Sequence, residues 1–419
     1  VIPSYAIPLF VAALVTGCAK RREAAPTLRS SAPTASASAA TTPASAPEKP
    51  EGLPDLAIGE GVVSFSSPGS SCRMTRTSMA EYLQRSEVTV AAHDDSIAAA
   101  WLVQLPGKPA SQIAFGGFDR QGRSVARVRG IGASKDHAPQ LFATGSEWTA
   151  TWFDQDGLTW TRPRWEALPT PSIRHLGAID AGLAPDVAFG ATANGQLATV
   201  APFGADRAQL GVFLFAPTDP AASAIRAVGV TRSAKHPKRP AIAVKQSGHY
   251  LAWLDDDRRI VASFFNEAGK ESDVTTVAPT VTSKDPRISV ARAPLGVAVL
   301  WEDQGVVFVR SLDDAARVRS PIYRVGQGRA AILAETGADP LVAWISTATD
   351  DKDKLVVARL SAEGTPPTKG LRLTDLPVRG GPACATADGR LAVVWTESMG
   401  RTASPMRAML GVLDDPCIP

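Results

Sequence analysis

The side chains in this sequence that could do chemistry are its cysteines, its histidines, a run of tryptophan and arginine, and a scatter of carboxylates. Four cysteines, Cys18, Cys72, Cys384 and Cys417, are far apart, with no pair at the close spacing zinc ligands use, so no structural metal is expected. The five histidines, His93, His137, His175, His236 and His249, show no ligand spacing either, and His93-Asp94-Asp95 reads as a turn. No GxxxxGK phosphate loop, HExxH helix or GxSxG nucleophile elbow occurs. Gly326-Gln327-Gly328 lacks the third glycine and the βαβ context of a dinucleotide site and reads as a loop entering a repeat. No catalytic residue and no cofactor is assigned. The densest grouping is Trp148, Trp160, Arg162, Arg164 and Trp165. Strand alternation puts Trp160, Arg162 and Arg164 on one side and Trp165 on the other. Such a surface suits a protein-binding hot spot or a sugar-stacking platform, and the alternative is packing against a neighbouring sheet.

These residues sit in a repeat. Pro139 to Trp152, Pro240 to Trp253 and Pro382 to Trp395 share a spacing of 13 residues. The register runs Trp101, Trp152, Val200, Trp253, Trp301, Trp344 and Trp395, at intervals of 51, 48, 53, 48, 43 and 51 residues, the length of a four-stranded propeller blade. After each register position comes a second strand and a turn: Phe118-Asp119 leads to Gly122, Phe265-Asn266 to Gly269 and Leu360-Ser361 to Gly364, while Leu312-Asp313 and Leu413-Asp414 keep the start of that turn. A polar residue followed three later by glycine suits a tight hairpin, because glycine accepts positive φ without steric cost. A lone sheet of this kind cannot bury both faces, whereas radial stacking can, with indoles supplying apolar area at each junction. Acidic residues two beyond the register position, Asp154, Asp255, Asp303 and Glu397, are read as turn formers in preference to a calcium ring. The fold expected is all-β, a seven-bladed β-propeller over 51–419.

The last copy ends at Leu413-Asp414-Asp415-Pro416-Cys417 without its outer strand, and Gly61 to Met74 has an extended run with no partner of its own. The N-terminal segment is expected to complete the last blade, since closure protects sheet edges. That would bring Cys72 near Cys417 as a disulfide, with Cys384–Cys417 as the competing pairing. Ser78-Met79-Ala80-Glu81 has the form of a capping box opening a short helix to about Arg85.

Ile7 to Val15 is an apolar run too short to span a bilayer, and it ends in Val15-Thr16-Gly17-Cys18. This ending resembles the bacterial lipobox. The resemblance implies a signal peptide over 1–17, acylation of Cys18, and, with Ala19 following, sorting to the outer membrane. No Lys or Arg precedes the run in Val1 to Ala6, which points to residues ahead of Val1 or to an alternative start codon. Residues 18–50, rich in Ala, Ser, Thr and Pro, are expected to form a disordered tether spanning about 30 Å root-mean-square.

Lys+Arg 44 against Asp+Glu 41 gives a net charge of +3 with the signs interspersed, which excludes the basic footprint of a nucleic-acid binder. Asp154-Gln155-Asp156-Gly157-Leu158-Thr159-Trp160 resembles the Asp-box of sialidases, though Gln155 departs from that pattern. Lipobox and repeat together resemble bacterial propeller lipoproteins. That resemblance implies a monomeric, non-catalytic envelope protein, periplasmic or surface-exposed, whose propeller meets a protein partner. The alternative is a glycan or small ligand bound in the propeller funnel, with sialidase-like hydrolysis as its extreme form.

Overall fold

The computed structural model describes residues 59–67, 70–104, 111–134, 137–144, 147–154, 157–164, 174–176, 186–192, 195–204, 206–215, 226–231, 236–336, 339–399, 405–414 and 417–418. All lie in the compact unit Glu51–Pro419. The expectations for the signal segment, Cys18, the tether and Trp165 fall outside them. The fold is all-β, a set of small antiparallel sheets in a propeller-like arrangement.

An N-terminal hairpin, β1 (Gly59–Ser67) and β2 (Ser70–Leu83), precedes the repeats. The first four-stranded sheet is β3 (Val88–His93), β4 (Ser96–Val103), β5 (Ser111–Asp119) and β6 (Arg129–Ser134). The second is β7 (Gln140–Thr144), β8 (Glu147–Asp154), β9 (Gly157–Thr161) and β10 (Arg174–Leu176). The third is β11 (Ala188–Ala191), β12 (Leu197–Phe203), β13 (Gln209–Phe215) and β14 (Arg226–Val230). The fourth is β15 (Lys238–Lys245), β16 (Gly248–Leu254), β17 (Ile260–Asn266) and β18 (Thr275–Ala278). A seven-stranded sheet follows: β19 (Ile288–Ala293), β20 (Gly296–Asp303), β21 (Val306–Leu312), β22 (Tyr323–Ala334), β23 (Leu341–Ser346), β24 (Leu355–Arg359) and β25 (Leu371–Arg372). Its long β22 serves two repeats, pairing with β21 through Tyr323–Gln327 and with β23 through Gly328–Ala334. The last sheet runs β1-β2-β28-β27-β26, with β26 (Val378–Ala387), β27 (Arg390–Ser398) and β28 (Met406–Asp414).

The first strands of the repeats contact one another in order: β3 with β7, β7 with β11, β11 with β15, β15 with β19, β19 with β22, β22 with β26, and β26 back to β3. These contacts close a cycle through all the repeats.

The register residues are what the sheets share. Trp101, Trp152, Val200, Trp253, Trp301, Trp344 and Trp395 are all buried, in apolar clusters that mostly draw on two successive sheets. The fit is tight: a Cβ added to Gly132 of β6 would lie 2.4 Å from Cζ2 of Trp152 on β8, so only glycine lets the indole lie flat there. The third-to-fourth-strand turn also repeats. The Asp119, Asn266, Asp313 and Ser361 carbonyls accept from the backbone N–H three residues on, at 2.7 to 2.9 Å. The donating residue is left-handed, at φ 80° for Gly122 but 61° for Ala316, so one copy tolerates a Cβ at this position. Each of the four first residues also accepts N–H groups through its own side chain, which fixes the turn.

Two local expectations are corrected. Ser78 to Arg85 does not open a helix: Ser78, Ala80 and Leu83 pair with β28 across two bulges, which let Met79, Ala80 and Leu83 all bury. A capping box contributes about 1 kcal/mol, less than a whole backbone ladder offered by an open strand edge. Consequently β2 is the strand beside β28, and β1 lies outside it as a fifth strand. Gly326-Gln327-Gly328 is strand, not loop, because Trp344 packs over both glycines.

Candidate functional site

The Trp and Arg grouping does not form an exposed platform. Trp148 and Trp160 are 5% and 3% exposed, and both belong to apolar clusters, Trp160 with its ring centroid 6.1 Å from that of Phe215 in the third sheet. Indoles between sheets remove more apolar area from water than a single exposed strand face would allow, so packing wins over display. Arg162 and Arg164, just past β9, both meet the carboxylate of Glu147 at the start of β8, with the Arg164 contact at 2.6 Å. Burial, and then the Arg164 charge, lowers the Arg162 pKa. Arg164 alone is freely exposed, and Trp165 lies outside the described residues.

The acidic residues after the register are used by the fold. Asp154 accepts from the Thr159 hydroxyl at 2.7 Å, bracing the hairpin that resembles an Asp-box. Asp255 accepts from the Arg259 backbone and guanidinium, and Asp303 from the N–H groups of Thr282 and Ser283. Glu397 is fully buried and accepts from Arg76, Arg407 and the Trp395 indole N–H. They do not converge, and among the described residues no group of three or more His, Cys, Asp or Glu could hold a metal ion.

A different set shares one end of the first strands. The residue 14 before the register position is Glu87, Ala138, Asp186, Arg239, Arg287, Ala330 and Gly381 in successive copies, with Arg329 one further back in the sixth. Ladder register places these at the same end of the first strands. Leu102 N–H donates to the Glu87 carbonyl and Glu302 N–H to the Arg287 carbonyl in equivalent bonds, and Arg329 pairs with Ile345 just beyond Trp344. Three consecutive first strands thus carry an arginine at the same end. Arg239 is tied through its backbone N–H to Asp186 at 2.9 Å and through its guanidinium to Asp285 at 3.5 Å. Arg329 reaches Asp353 at 3.3 Å. Glu302 accepts from the Ala331 N–H at a bulge in β22, and burial raises its pKa against the pull of that bond and of Arg287.

Arg287 differs from its neighbours. Its guanidinium makes no hydrogen bond or ion pair with any described residue, and the residue is exposed. Partial loss of hydration lowers its pKa, opposed by Glu302 and then Cys384. Cys384 is on β26 and packs against the apolar cluster that includes Leu341, Ala343 and Trp395. Burial pushes the Cys384 thiol up to about 12, with Arg287 pulling the other way. Sequence reading missed this set because each arginine alone resembles any solvated charge. The available signal was the fixed offset from the register tryptophan.

Cys417 is disulfide-bonded and Cys384 is a free thiol, which removes the Cys384–Cys417 pairing. The side chain of Cys72 lies outside the described residues. Its backbone, opposite Phe65, sits two residues before the Met74–Leu413 pair at the end of β28 that leads to Cys417.

No family model matches the chain, and no curated protein does. Several solved structures are similar in shape. The polysaccharide lyase Uly1 is 8% identical with TM-score 0.48, over 80% of this chain and 91% of that one. The fucose-specific lectin from Aleuria aurantia is 10% identical with TM-score 0.45, over 71% and 97%. The WD40 domain of SCAP from fission yeast is 8% identical with TM-score 0.45, over 80% and 96%. With TM-scores below 0.5, none of these bears on what this chain does.

Proposed function

We propose that this chain is a membrane-tethered, non-catalytic binding protein, built as a seven-bladed propeller whose last blade is completed by the N-terminal hairpin, with its recognition surface at the arginine-lined mouth of the central space. The carrying observation is that Lys238, Arg287 and Arg329 each stand opposite the residue after the register tryptophan in three consecutive repeats, with Arg239 beside Lys238, at one end of an unbroken cycle of first strands. Side chains at equal depth around a ring converge on a common axis, which is how a concave site arises from repeats. Acylation at Cys18, with outer-membrane anchoring, is the proposed means of tethering, and it rests on the lipobox resemblance.

A second reading, docking of a protein partner, is favoured by one feature at the opposite end of β20. There Leu295 and Val318 are 46% and 41% exposed, and Arg319 donates to the Leu295 carbonyl at 2.9 Å.

The test is to express the full chain with a palmitate analogue in a bacterial host and fractionate it. Label on the wild type and its loss with Cys18→Ser are expected. The purified protein is then melted with small-molecule and macromolecular fractions of envelope extract, since only a species bound to the folded state raises the midpoint. Stabilisation by the small-molecule fraction supports the funnel, and by the macromolecular fraction the docking face. A midpoint moved by neither ends the binding reading.

A further inference from the structure

The outer edges of the sheets are not alike. The outer strands β6, β10, β14, β18 and β25 have only six, three, five, four and two residues. All but β18 carry an arginine, and register shifts break the pairing of β6, β14 and β18 with their neighbours. Shortness, charge and bulges are the usual means by which an edge is kept from pairing with another chain. In contrast, β1 has nine residues, no proline and a single charge, Glu60, and its ladder to β2 runs without a shift from Gly59 opposite Ser78 to Ser67 opposite Ser70. The last blade does not need it, because β2 already stands as a fourth strand beside β28. No described residue pairs with the other edge of β1. Alternate residues along it therefore offer a row of N–H and C=O groups to a further strand.

The strand is complementary to a second copy of itself. Antiparallel pairing with a two-fold axis at Val63 sets Val62 against Ser64, Gly61 against Phe65 and Glu60 against Ser66 of the other copy. Because that axis falls on a residue, outward-turned residues meet outward-turned residues in either phase of the alternation. The two Glu60 residues then stand about 20 Å apart along the pair, beyond the Debye length at physiological salt. We propose that β1 is a homodimerisation edge, joining two copies of this chain through an isologous antiparallel β1–β1 ladder, in place of the monomer that the family resemblance implies. A single ladder is a small interface beside the about 1,200 Å² or more of stable complexes, so the dimer is weak in dilute solution and favoured where copies share one membrane. The proposal goes beyond the channel reading and does not rest on it.

The full chain, purified in detergent, is followed by sedimentation equilibrium over a range of concentrations, and a Val63→Cys variant is oxidised both after purification and in cells of the expressing host. A reversible dimer is expected, with Val63→Cys cross-linking to itself and Leu295→Cys not. Ser66→Glu sets like charges opposite each other twice and should weaken the dimer roughly threefold or more, whereas Ser66→Lys sets opposite charges there and should tighten it by a similar factor. Adding Glu60→Lys to Ser66→Glu should restore the affinity. A hairpin that merely failed to form would lose affinity in both single variants, so the opposite signs report the register itself. A chain that stays monomeric at every concentration and on vesicles would overturn the proposal. So would a dimer indifferent to both Ser66 variants, cross-linking at Leu295→Cys instead, or capture of a different protein by Val63→Cys in cells, which would assign the edge to a foreign strand. Each of these failures leaves the thermal-shift test of the binding-protein reading unaffected.

Discussion

Arg76 of β2 and Glu397 of β27, 321 residues apart in sequence, are joined by two hydrogen bonds of 3.2 and 3.0 Å across the intervening β28. Glu397 is fully buried, Arg407 and the Trp395 indole complete its shell, and the Arg76 guanidinium carbon lies 5.5 Å from the centroid of the Trp395 ring. One carboxylate therefore holds the first and last segments of the described chain together.

Truncating that carboxylate leaves two arginines without their acceptor. Glu397→Ala is expected to lose about 3–5 kcal/mol, the usual cost of stripping one partner from a buried ion pair. Arg76→Met, which keeps the stem over the indole, should lose less. Denaturant midpoints at constant slope check both, and a Glu397→Ala midpoint equal to wild type would show the cluster to be ornamental.

The Cys417 disulfide should map to Cys72, and breaking it should matter. In the chain-entropy picture a bridge closing so long a loop contributes on the order of 4 kcal/mol, so Cys417→Ser should melt earlier in non-reducing buffer. Reductant should bring the wild type down to the variant. Peptide mapping that links Cys417 to Cys18 would refute the pairing.

Gly132→Ala should destabilise by roughly 1–3 kcal/mol, the range for overpacking a core, because its methyl meets the Trp152 ring. Trp152→Ala should lose about 3–5 kcal/mol. The double variant should lose less than the sum, since the methyl then enters the space the indole vacated. Strict additivity in a double-mutant cycle would mean that the two residues do not touch.

His249 sets an acid limit. It is 5% exposed, neither ring nitrogen has a hydrogen-bond partner, and burial lowers its pKa from the ordinary 6.5. The folded protein keeps it neutral where the unfolded chain takes up a proton, so its contribution is complete above about pH 6.5 and is lost as pH falls below that. His249→Leu should flatten the stability profile between pH 7 and 5, read from denaturation midpoints at each pH.

What the sequence made legible followed from repetition. The tryptophan register, the hairpin turns at Asp119 and Asn266 and the need for an N-terminal strand in the last sheet all show in the strand order and pairing. A constraint imposed on every copy leaves the same mark many times. Ser78 to Glu81 misled because a capping signal is local, whereas β28, which captures that segment, lies more than 300 residues away. Trp160 misled for the opposite reason: sequence shows that a face is rich in indole and guanidinium, not whether Phe215 covers it. Arg287 left one faint trace, an offset from a tryptophan, and its lack of a partner exists only in three dimensions.

The pairing of β2 with β28 also sets the order of events when the chain is made. At ribosomal speeds of about 5–20 residues per second, β2 waits roughly 15–65 seconds for the strand that satisfies its second edge. Until then the nascent chain carries an open ladder with nothing native to accept it. A sheet closed by strands so far apart in sequence cannot finish folding repeat by repeat as it emerges. It must be kept from sticky encounters until the final strand arrives, and every truncated product is left with that seam unsealed.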